Sequence, residues 1–345
     1  MAPSSLPITL DRASTLAHNF LRITQRISST LLSSPSPPVL VAVSKLKPAN
    51  DILFLHGRPP FSSSSSFITN ADSATSNVSP QQPPESPLHD HFGENYTDEL
   101  SAKSRVLPRS IKWHFIGQLQ SNKCKALAEQ VVNLWCVESV DSAKKADGLE
   151  KGRRGLAERM VNEREADRDE SGGHENTRDH TDAPLSTAAS HSTSSVQENG
   201  TSQPPSWEEP LRICIQVNTS GESSKAGVPT AEDAIGLYTH VRDNCPHLRV
   251  WGLMTIGAIA RSTALEAGHE NEDFMRLVET RDRVAEGVGI PKEDLRLSMG
   301  MSQDFESAIR CGSDEVRVGS DIFGERVKDR KEAKIVEDES TKEGE

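Results

Sequence analysis

Short apolar runs alternate along this chain with longer segments whose apolar residues recur every three or four positions. The short runs are typical of buried parallel strands and the longer segments of helices, so the alternation predicts repeated β/α units. The strand candidates, in order, are VLVAVSK, the region of HFGEN, KWHFIG, LWCVESV, RICIQVNT, VWGLMTI, LRLSMGMS and EVRVG. The second is the weakest because it has almost no hydrophobic run. Helices are predicted between the strands, for example over Ser121 to Glu129, Thr230 to Asp243, Glu272 to Glu286 and Gln303 to Cys311.

The amino-terminal segment also shows helical spacing. Its recurring apolar residues are Leu16, Phe20, Ile23 and Ile27. This spacing predicts an amphipathic first helix over residues 10 to 32. Three arginines and a single acidic residue in the same segment also resemble, weakly, a mitochondrial transit peptide. The helix is the interpretation that we favour.

Three segments lack the apolar residues that a core needs. Residues 57–90 are rich in serine and proline, residues 161–207 are polar and charged, and residues 331–345 form a charged tail. Such compositions are typical of solvated, disordered segments. The rest of the chain has about 250 residues, the usual size of one (β/α)8 or TIM barrel. We therefore expect a single α/β barrel domain over residues 1–330, with disordered insertions at 57–90 and 161–207 and a disordered tail.

The composition narrows the functional classes. A formal net charge of −12 argues against a nucleic-acid partner, since binding a phosphate backbone needs a basic surface. No apolar run approaches the roughly 20 residues of a membrane helix, so no membrane partner is expected. The five cysteines are scattered without a CxxC motif, which indicates neither a disulfide framework nor a zinc site. A reducing compartment fits best, and we expect the cytoplasm, with a mitochondrial pool left open.

Polar residues and glycines follow the predicted strands at the end of the barrel where active sites of this fold lie. They are Lys45 after the first strand, Asn95 after the second, Gly117 after the third, Asn218 after the fifth, Ser302 after the seventh, and Arg317, Gly319 and Ser320 at the eighth. Lys45 is the most unusual, because burial beside VLVAV would lower the pKa of its amine, and a neutral amine attacks an aldehyde. A lysine at a strand end can also place its ammonium in water, and on this residue alone that interpretation is the better one.

The turns after the last two strands suit a phosphate. Glycine at Gly319 lets the main chain approach a ligand closely, and Ser302 and Ser320 offer hydroxyls among unpaired N–H groups at helix starts. Ordinary helix capping explains the same residues equally well. A lysine for an aldehyde, a phosphate cradle and the strand-end Arg317 together describe a site for pyridoxal 5'-phosphate (PLP).

The chain resembles the PLP homeostasis proteins, a family with the alanine racemase N-terminal barrel of the fold-type III PLP proteins. The motifs that carry the resemblance are VAVSKLKP, FGENYTDEL, WHFIGQLQSNK, IQVNTSGESSKAG, GLMTIG and LSMGMSQDFESAIRCGSDEVRVGSDIFGER. Apart from the insertions they span most of the chain in barrel order. Their combination is far more specific than a lone lysine or glycine motif.

The resemblance implies a role for each matched residue. Lys45 is similar to the lysine that holds PLP as a Schiff base, and Arg317 resembles the arginine that faces the pyridine nitrogen. Ser302, Gly319 and Ser320 are similar to the phosphate-binding residues. The permanent charge of Arg317 would keep that nitrogen unprotonated and weaken the ring as an electron sink. A weak sink suits holding PLP better than stabilising carbanions.

Other matched residues are implied as neighbours of the cofactor. These are Asn95, Asn218 and Met254. His114 also lies in a family motif, but a packed, hydrogen-bonded histidine explains it equally well, so we rank it lower.

The implied function is non-catalytic. The resemblance points to a protein of intracellular PLP (vitamin B6) homeostasis that binds PLP and supplies it to PLP-dependent apoenzymes, as a monomer or weak dimer. The alternative is a fold-type III racemase or lyase that uses Lys45 as acid/base. Such a racemase takes a tyrosine from a further β-domain, whereas this chain has only Tyr96 and Tyr238 and about 20 residues after the eighth strand, so we expect at most weak amino-acid chemistry. A sugar-phosphate barrel is a third reading, but it leaves Lys45 and Arg317 without roles.

Overall fold

Parallel strands close into a barrel in the computed structural model, which describes residues 6–31, 37–57, 67–68, 88–171, 207–222, 225–258 and 271–325. The barrel strands are β1 (Val39–Val43), β2 (His91–Glu94), β3 (Lys112–Phe115), β4 (Leu134–Val140), β5 (Leu211–Gln216), β6 (Leu248–Met254), β7 (Arg296–Met301) and β8 (Glu315–Val318). Each pairs in parallel with the next, and β8 closes on β1 with Arg317 opposite Val41. The predicted (β/α)8 barrel is therefore confirmed, including its weakest strand.

Helices follow the strands and cover the outside of the barrel. They are α1 (Leu10–Thr30), α2 (Ala49–His56), α3 (Thr97–Val106), α4 (Cys124–Gln130), α5 (Ala143–Ser171), α6 (Ala231–Asn244), α7 (Glu272–Val288), α8 (Phe305–Arg310) and α9 (Ser320–Phe323). Two 3-10 turns, Ser121–Lys123 and Lys292–Asp294, precede α4 and β7. Among the described helices, none is both long enough and apolar enough to cross a membrane.

The helix α1 precedes the first barrel strand and packs against the barrel, as its spacing predicts. The Thr9 hydroxyl caps it by accepting a hydrogen bond from the Arg12 N–H at 3.3 Å. Arg12 in turn pairs with the buried Asp51 on α2, and Asn19 donates to the Ile322 carbonyl oxygen at 3.1 Å. Its buried stripe is Ala13, Leu16, Phe20, Ile23 and Ile27.

Alternate residues of each strand have different surroundings. On β1, Leu40 and Ala42 belong to the large hydrophobic core shared with the helices, whereas Val41 and Val43 face Gly93 of β2. A Cβ atom on Gly93 would lie 2.9 Å from Val41 Cγ1, so the barrel interior requires glycine there. This alternation leaves the inward positions free to carry polar groups.

The boundary predicted at residue 161 needs correction. Helix α5 continues to Ser171, so residues 161–171 are helical rather than part of a loop. Arginine and glutamate are good helix formers. Extending an existing helix by one residue costs little free energy compared with starting a new helix. Arg159 and Glu163, one turn apart at 3.8 Å, support this exposed extension. Residues 172–206 of the predicted insertion lie outside the described residues.

The other predicted disordered segments are described only in small part. Within residues 58–87 the structure describes Phe67–Ile68, a two-residue strand that pairs in parallel with Ile8–Thr9. The predicted tail, 331–345, lies outside the described residues.

Candidate functional site

A cavity of about 220 Å³ opens at the carboxyl ends of the barrel strands. Five of the residues that the sequence singles out line it together: Lys45, Ser302, Arg317, Gly319 and Ser320. Ser320 is exposed and Ser302 is half-buried, so the cavity reaches the surface. The lysine, the serine and glycine turns and the arginine are thus brought into one place.

Lys45 lies in a tight turn just beyond β1. The Ser44 N–H still continues the sheet by donating to the Gly93 carbonyl oxygen at 2.9 Å. Leu46 then takes a left-handed conformation with φ of 60°, which is uncommon for a residue other than glycine. The Leu46 N–H donates to Glu99 Oε1 at 2.7 Å, and this bond to α3 helps to hold the turn. Lys45 itself is half-buried at the cavity wall.

Beneath this turn is a buried ion cluster. Lys103 Nζ lies 2.7 Å from Glu94 Oε1 and 2.7 Å from Glu99 Oε1, and all three side chains are almost completely buried. Ser44 Oγ also donates to Glu94 Oε1, at 2.6 Å. Burial raises the pKa of Glu94 to about 7, and the charge of Glu99 adds to this while Lys103 opposes it.

The turns after β7 and β8 meet at the cavity. The Gly319 N–H donates to Ser302 Oγ at 3.4 Å, and Ser320 Oγ lies 3.3 Å from the same oxygen. Gly319 also packs closely on β1, because a Cβ atom there would lie 3.2 Å from the Val43 carbonyl oxygen. The turn from Met301 is closed by Asp304, whose Oδ1 accepts from the Met301 N–H at 2.7 Å. Two hydroxyls and the main chain around Gly319 therefore face one small space.

Arg317 is anchored from below. Its Nη2 donates to the Thr255 carbonyl oxygen at 2.7 Å, its Nη1 donates to Ser298 Oγ, and Nη1 also lies 3.7 Å from Glu138 Oε2. The Arg317 side chain is only 4% exposed, and these acceptors fix the position of its guanidinium in the cavity floor.

Polar groups fill the barrel interior below Arg317. His114 Nδ1 lies 2.9 Å from Glu138 Oε1, and Ser298 Oγ lies within hydrogen-bond distance of two carboxylates, 2.7 Å from Glu138 Oε2 and 2.8 Å from Glu315 Oε1. Burial alone would raise the pKa of Glu138, but His114 and Arg317 overcome it and lower that pKa to about 2. Burial and the charge of Glu138 raise the pKa of Glu315 well above its ordinary value. Glu138 therefore carries the negative charge of this pair.

The remaining predicted site residues lie elsewhere. Asn218 lines a second cavity of about 220 Å³, with Lys225 and Thr255, on the neighbouring part of the same barrel end. Met254 is buried against Cys136 and Cys214 and lines neither cavity. Asn95 lies directly after β2, where its buried Oδ1 has no hydrogen-bond partner among the described residues. His114 is completely buried and hydrogen-bonded to Glu138, which agrees with the interpretation of a packed histidine.

Several residues near the site are not predicted from the sequence. Ile116, Gln303 and Asp304 line the cavity, and the last two could have been noticed because they continue the motif GMSQD. For the Lys103 cluster, the sequence contains one hint, which is that Lys103 follows Glu99 by four residues, about one helical turn. That spacing is more often a surface ion pair, so it does not indicate burial.

A family model and solved structures show to which class of fold the chain belongs. Residues 193–327 match the family described as "Alanine racemase, N-terminal domain". The solved structure of PipY from Synechococcus elongatus without PLP covers 90% of this chain and all of its own, with a TM-score of 0.55 and 21% identity. The same protein with PLP bound gives 0.52 and 22%. This chain is therefore a (β/α)8 barrel of the alanine racemase N-terminal fold.

Curated relatives give the family. The "Pyridoxal phosphate homeostasis protein" of Schizosaccharomyces pombe is 39% identical over 236 residues, which is 68% of this chain and 74% of that protein. The protein of the same name from Mus musculus is 35% identical over 301 residues, 86% of this chain and 80% of its own. The Homo sapiens protein is 34% identical over 294 residues, with 84% and 77% covered. The chain belongs to the pyridoxal phosphate homeostasis protein family.

Proposed function

We propose that this protein binds PLP in the Lys45 cavity, as a Schiff base on Lys45, and serves intracellular PLP homeostasis. The observation that supports this most directly is that Lys45, Arg317, Ser302, Gly319 and Ser320 line one cavity. Its relatives are named for the same role, and a solved protein of the same fold has PLP bound.

The residues present fit the chemical groups of PLP. When bound, PLP supplies an aldehyde, a phosphate and an electron-accepting ring. The Lys45 amine suits the aldehyde, and the hydroxyls of Ser302 and Ser320 with the main chain at Gly319 suit the phosphate. The unpartnered Oδ1 of Asn95 is a further polar group near this end of the barrel.

Arg317 favours holding the cofactor over transforming amino acids. An arginine stays protonated in proteins, and Arg317 is fixed by Ser298 and the Thr255 carbonyl oxygen. Facing the ring nitrogen, it would keep that nitrogen unprotonated and leave the ring a weak electron sink. The protein therefore acts as a non-catalytic PLP carrier in this proposal.

Supply of PLP to apoenzymes is the further part of the proposal. Ser320 and Gln303 at the cavity rim are exposed, so the phosphate end of the site is open to water. A cofactor held at such a rim can be released without opening the barrel.

Absorbance spectroscopy tests PLP binding directly. The purified protein with added PLP should show a visible band of a Schiff base that borohydride removes, and peptide mapping should then find the reduced adduct on Lys45. Lys45→Ala should lack the band, whereas Lys123→Ala, an exposed lysine at the same end of the barrel, should keep it. A wild-type protein without the band, or a Lys45→Ala variant that retains it, would overturn the proposal.

Turnover assays separate the carrier from an enzyme. The PLP-loaded protein should consume or racemise a panel of L- and D-amino acids no faster than free PLP does. A clearly faster, Lys45-dependent rate would contradict the non-catalytic role and favour a fold-type III racemase or lyase.

A further inference from the structure

Three side chains that commonly ligate metals converge between α5 and α6. Asp147 lies on α5, His240 on α6, and Cys245 directly follows α6. One ligand atom from each lies within 4.8 Å of the other two. His240 Nε2 is already 2.7 Å from Asp147 Oδ1. None of the three lines either of the cavities at the carboxyl end of the barrel.

The arrangement is close to what a tetrahedral ion requires. Zinc bonds of about 2.3 Å to sulfur and about 2.0–2.1 Å to nitrogen and oxygen place tetrahedral ligand atoms about 3.4–3.6 Å apart. Those separations fall between the 2.7 Å that divides His240 Nε2 from Asp147 Oδ1 and the 4.8 Å within which all three atoms lie. The side chains of His240 and Asp147 are 29% and 47% exposed, so an ion can enter from solvent, while Cys245 closes the site from inside at 1% exposure.

The ligand types select among metals. A thiolate favours a borderline or soft ion, an imidazole suits zinc, and a single carboxylate is common in zinc sites, whereas calcium and magnesium prefer oxygen ligands alone. We propose that Asp147, His240 and Cys245 form a zinc-binding site, with the fourth position held by water.

Neighbouring groups support the site. Glu150 lies one turn from Asp147 on α5, and its two carboxylate oxygens accept from the Nδ1–H and main-chain N–H of His247 at 2.7 and 2.9 Å. Glu150 and His247 therefore hold the loop after Cys245 against α5.

The scattered cysteines gave no sign of this site, because its ligands come from distant parts of the chain. Binding forms a Zn–S bond and breaks the S–H bond of Cys245, and that proton passes to solvent. The ring proton of His240 moves from Nε2, which now donates to Asp147, to Nδ1, so that Nε2 can bind the ion; no oxidation state changes. The ion would fasten α5 to α6 on the outside of the barrel. Zinc should then stabilise the folded chain by mass action, since the unfolded chain does not gather the three ligands.

Cobalt(II) substitution tests the proposal on the untagged full-length protein. One equivalent of cobalt should produce a thiolate-to-cobalt charge-transfer band that zinc displaces. Cys245→Ser should abolish the band, and His240→Gln should weaken zinc binding more than about tenfold in a competition with a metal indicator. Cys124→Ser is the matched control, because Cys124 is also buried but belongs to no such cluster in the described residues.

Thermal unfolding gives a second readout. Zinc should raise the unfolding midpoint of the wild type and of Cys124→Ser, and should raise those of Cys245→Ser and His240→Gln by clearly less at the same zinc concentration. Because His240 is partly exposed, its variant keeps the test valid even where loss of the buried thiol impairs folding. Absence of the charge-transfer band in the wild type, or its persistence in Cys245→Ser, would overturn the proposal. Neither readout depends on PLP.

Discussion

Lys103 on α3 donates a hydrogen bond to the main-chain carbonyl oxygen of Ser44, the residue before Lys45, with Nζ and O 2.9 Å apart. The same ammonium pairs with Glu94 on β2 and Glu99 on α3. One buried cation therefore joins the end of β1, the end of β2 and the first turn of α3. The position of the Lys45 turn depends on this cluster.

Replacing Lys103 by methionine should strongly destabilise the barrel. The two carboxylates would stay buried without their cation, and breaking a buried ion pair by removing one partner typically costs about 3–5 kcal/mol. Chemical denaturation should show this loss for Lys103→Met. Lys123→Met, which removes a lysine that is 42% exposed, should change the free energy of unfolding by less than about 1 kcal/mol. Equal effects of the two substitutions would contradict a structural role for Lys103.

The pKa of Glu94 predicts a pH dependence. It is raised from 4.5 to about 7 in the folded protein, so between these pH values the folded state binds a proton that the unfolded state has lost. The contribution of Glu94 to stability is then greatest below the unfolded pKa and declines as pH rises through about 7, by on the order of a few kcal/mol. Glu94→Gln should flatten this decline in free energies of unfolding measured from pH 5 to 8. An unchanged slope in the variant would show that another group titrates.

Much of the fold could be predicted because its signals are local. The helical spacing of apolar residues from Leu16 to Ile27 predicts which face of α1 is buried. The uninterrupted apolar run of β1 predicts that this strand is buried on both faces. The strand β2 gives only a weak sequence signal because His91 and Gly93 face the interior and only Phe92 belongs to the main core. Inward residues of a barrel need not be apolar, so hydrophobic patterns underestimate such strands.

The site was only partly predictable for a different reason. The rule that ligands bind at the carboxyl ends of strands groups Lys45, Ser302 and Gly319 correctly in one cavity. The same rule does not predict that Asn218 lines a separate cavity or that Met254 packs in the interior. Both depend on the register of the strands, which the sequence does not show. The partners of Lys103 come from two elements, and only the tertiary fold brings them together.

Gly117 should tolerate no side chain. It follows β3, and a Cβ atom there would lie 2.0 Å from the Asn95 main-chain oxygen, well inside van der Waals contact. Gly117→Ala should therefore force the ends of β2 and β3 apart and destabilise the protein by about 1–3 kcal/mol or more. Gly155→Ala on α5, where the nearest atom is 3.4 Å away, should instead stabilise by about 0.5–1 kcal/mol. Thermal and chemical unfolding of the pair distinguish a steric effect from a general effect of alanine.

Replacing Gly319 by alanine should weaken PLP binding while leaving the fold intact. Its Cβ would lie 3.2 Å from the Val43 carbonyl oxygen and 3.3 Å from Val43 Cβ, so the main chain of this turn or of β1 must shift by a few tenths of an ångström. Gly319→Ala should fold but bind PLP roughly tenfold more weakly, a loss of about 1.4 kcal/mol.

Equilibrium titration of apoprotein with PLP measures this effect. Gly236→Ala is the matched control, since no atom lies within 4 Å of a Cβ at that site on α6. The control should keep wild-type affinity while gaining helix stability, because alanine loses less conformational freedom on folding than glycine. Because the phosphate is the group expected beside Gly319, free pyridoxal, which lacks it, should bind both variants equally. If Gly319→Ala lowered the affinity for pyridoxal as much as that for PLP, the turn after β8 would not be the phosphate cradle.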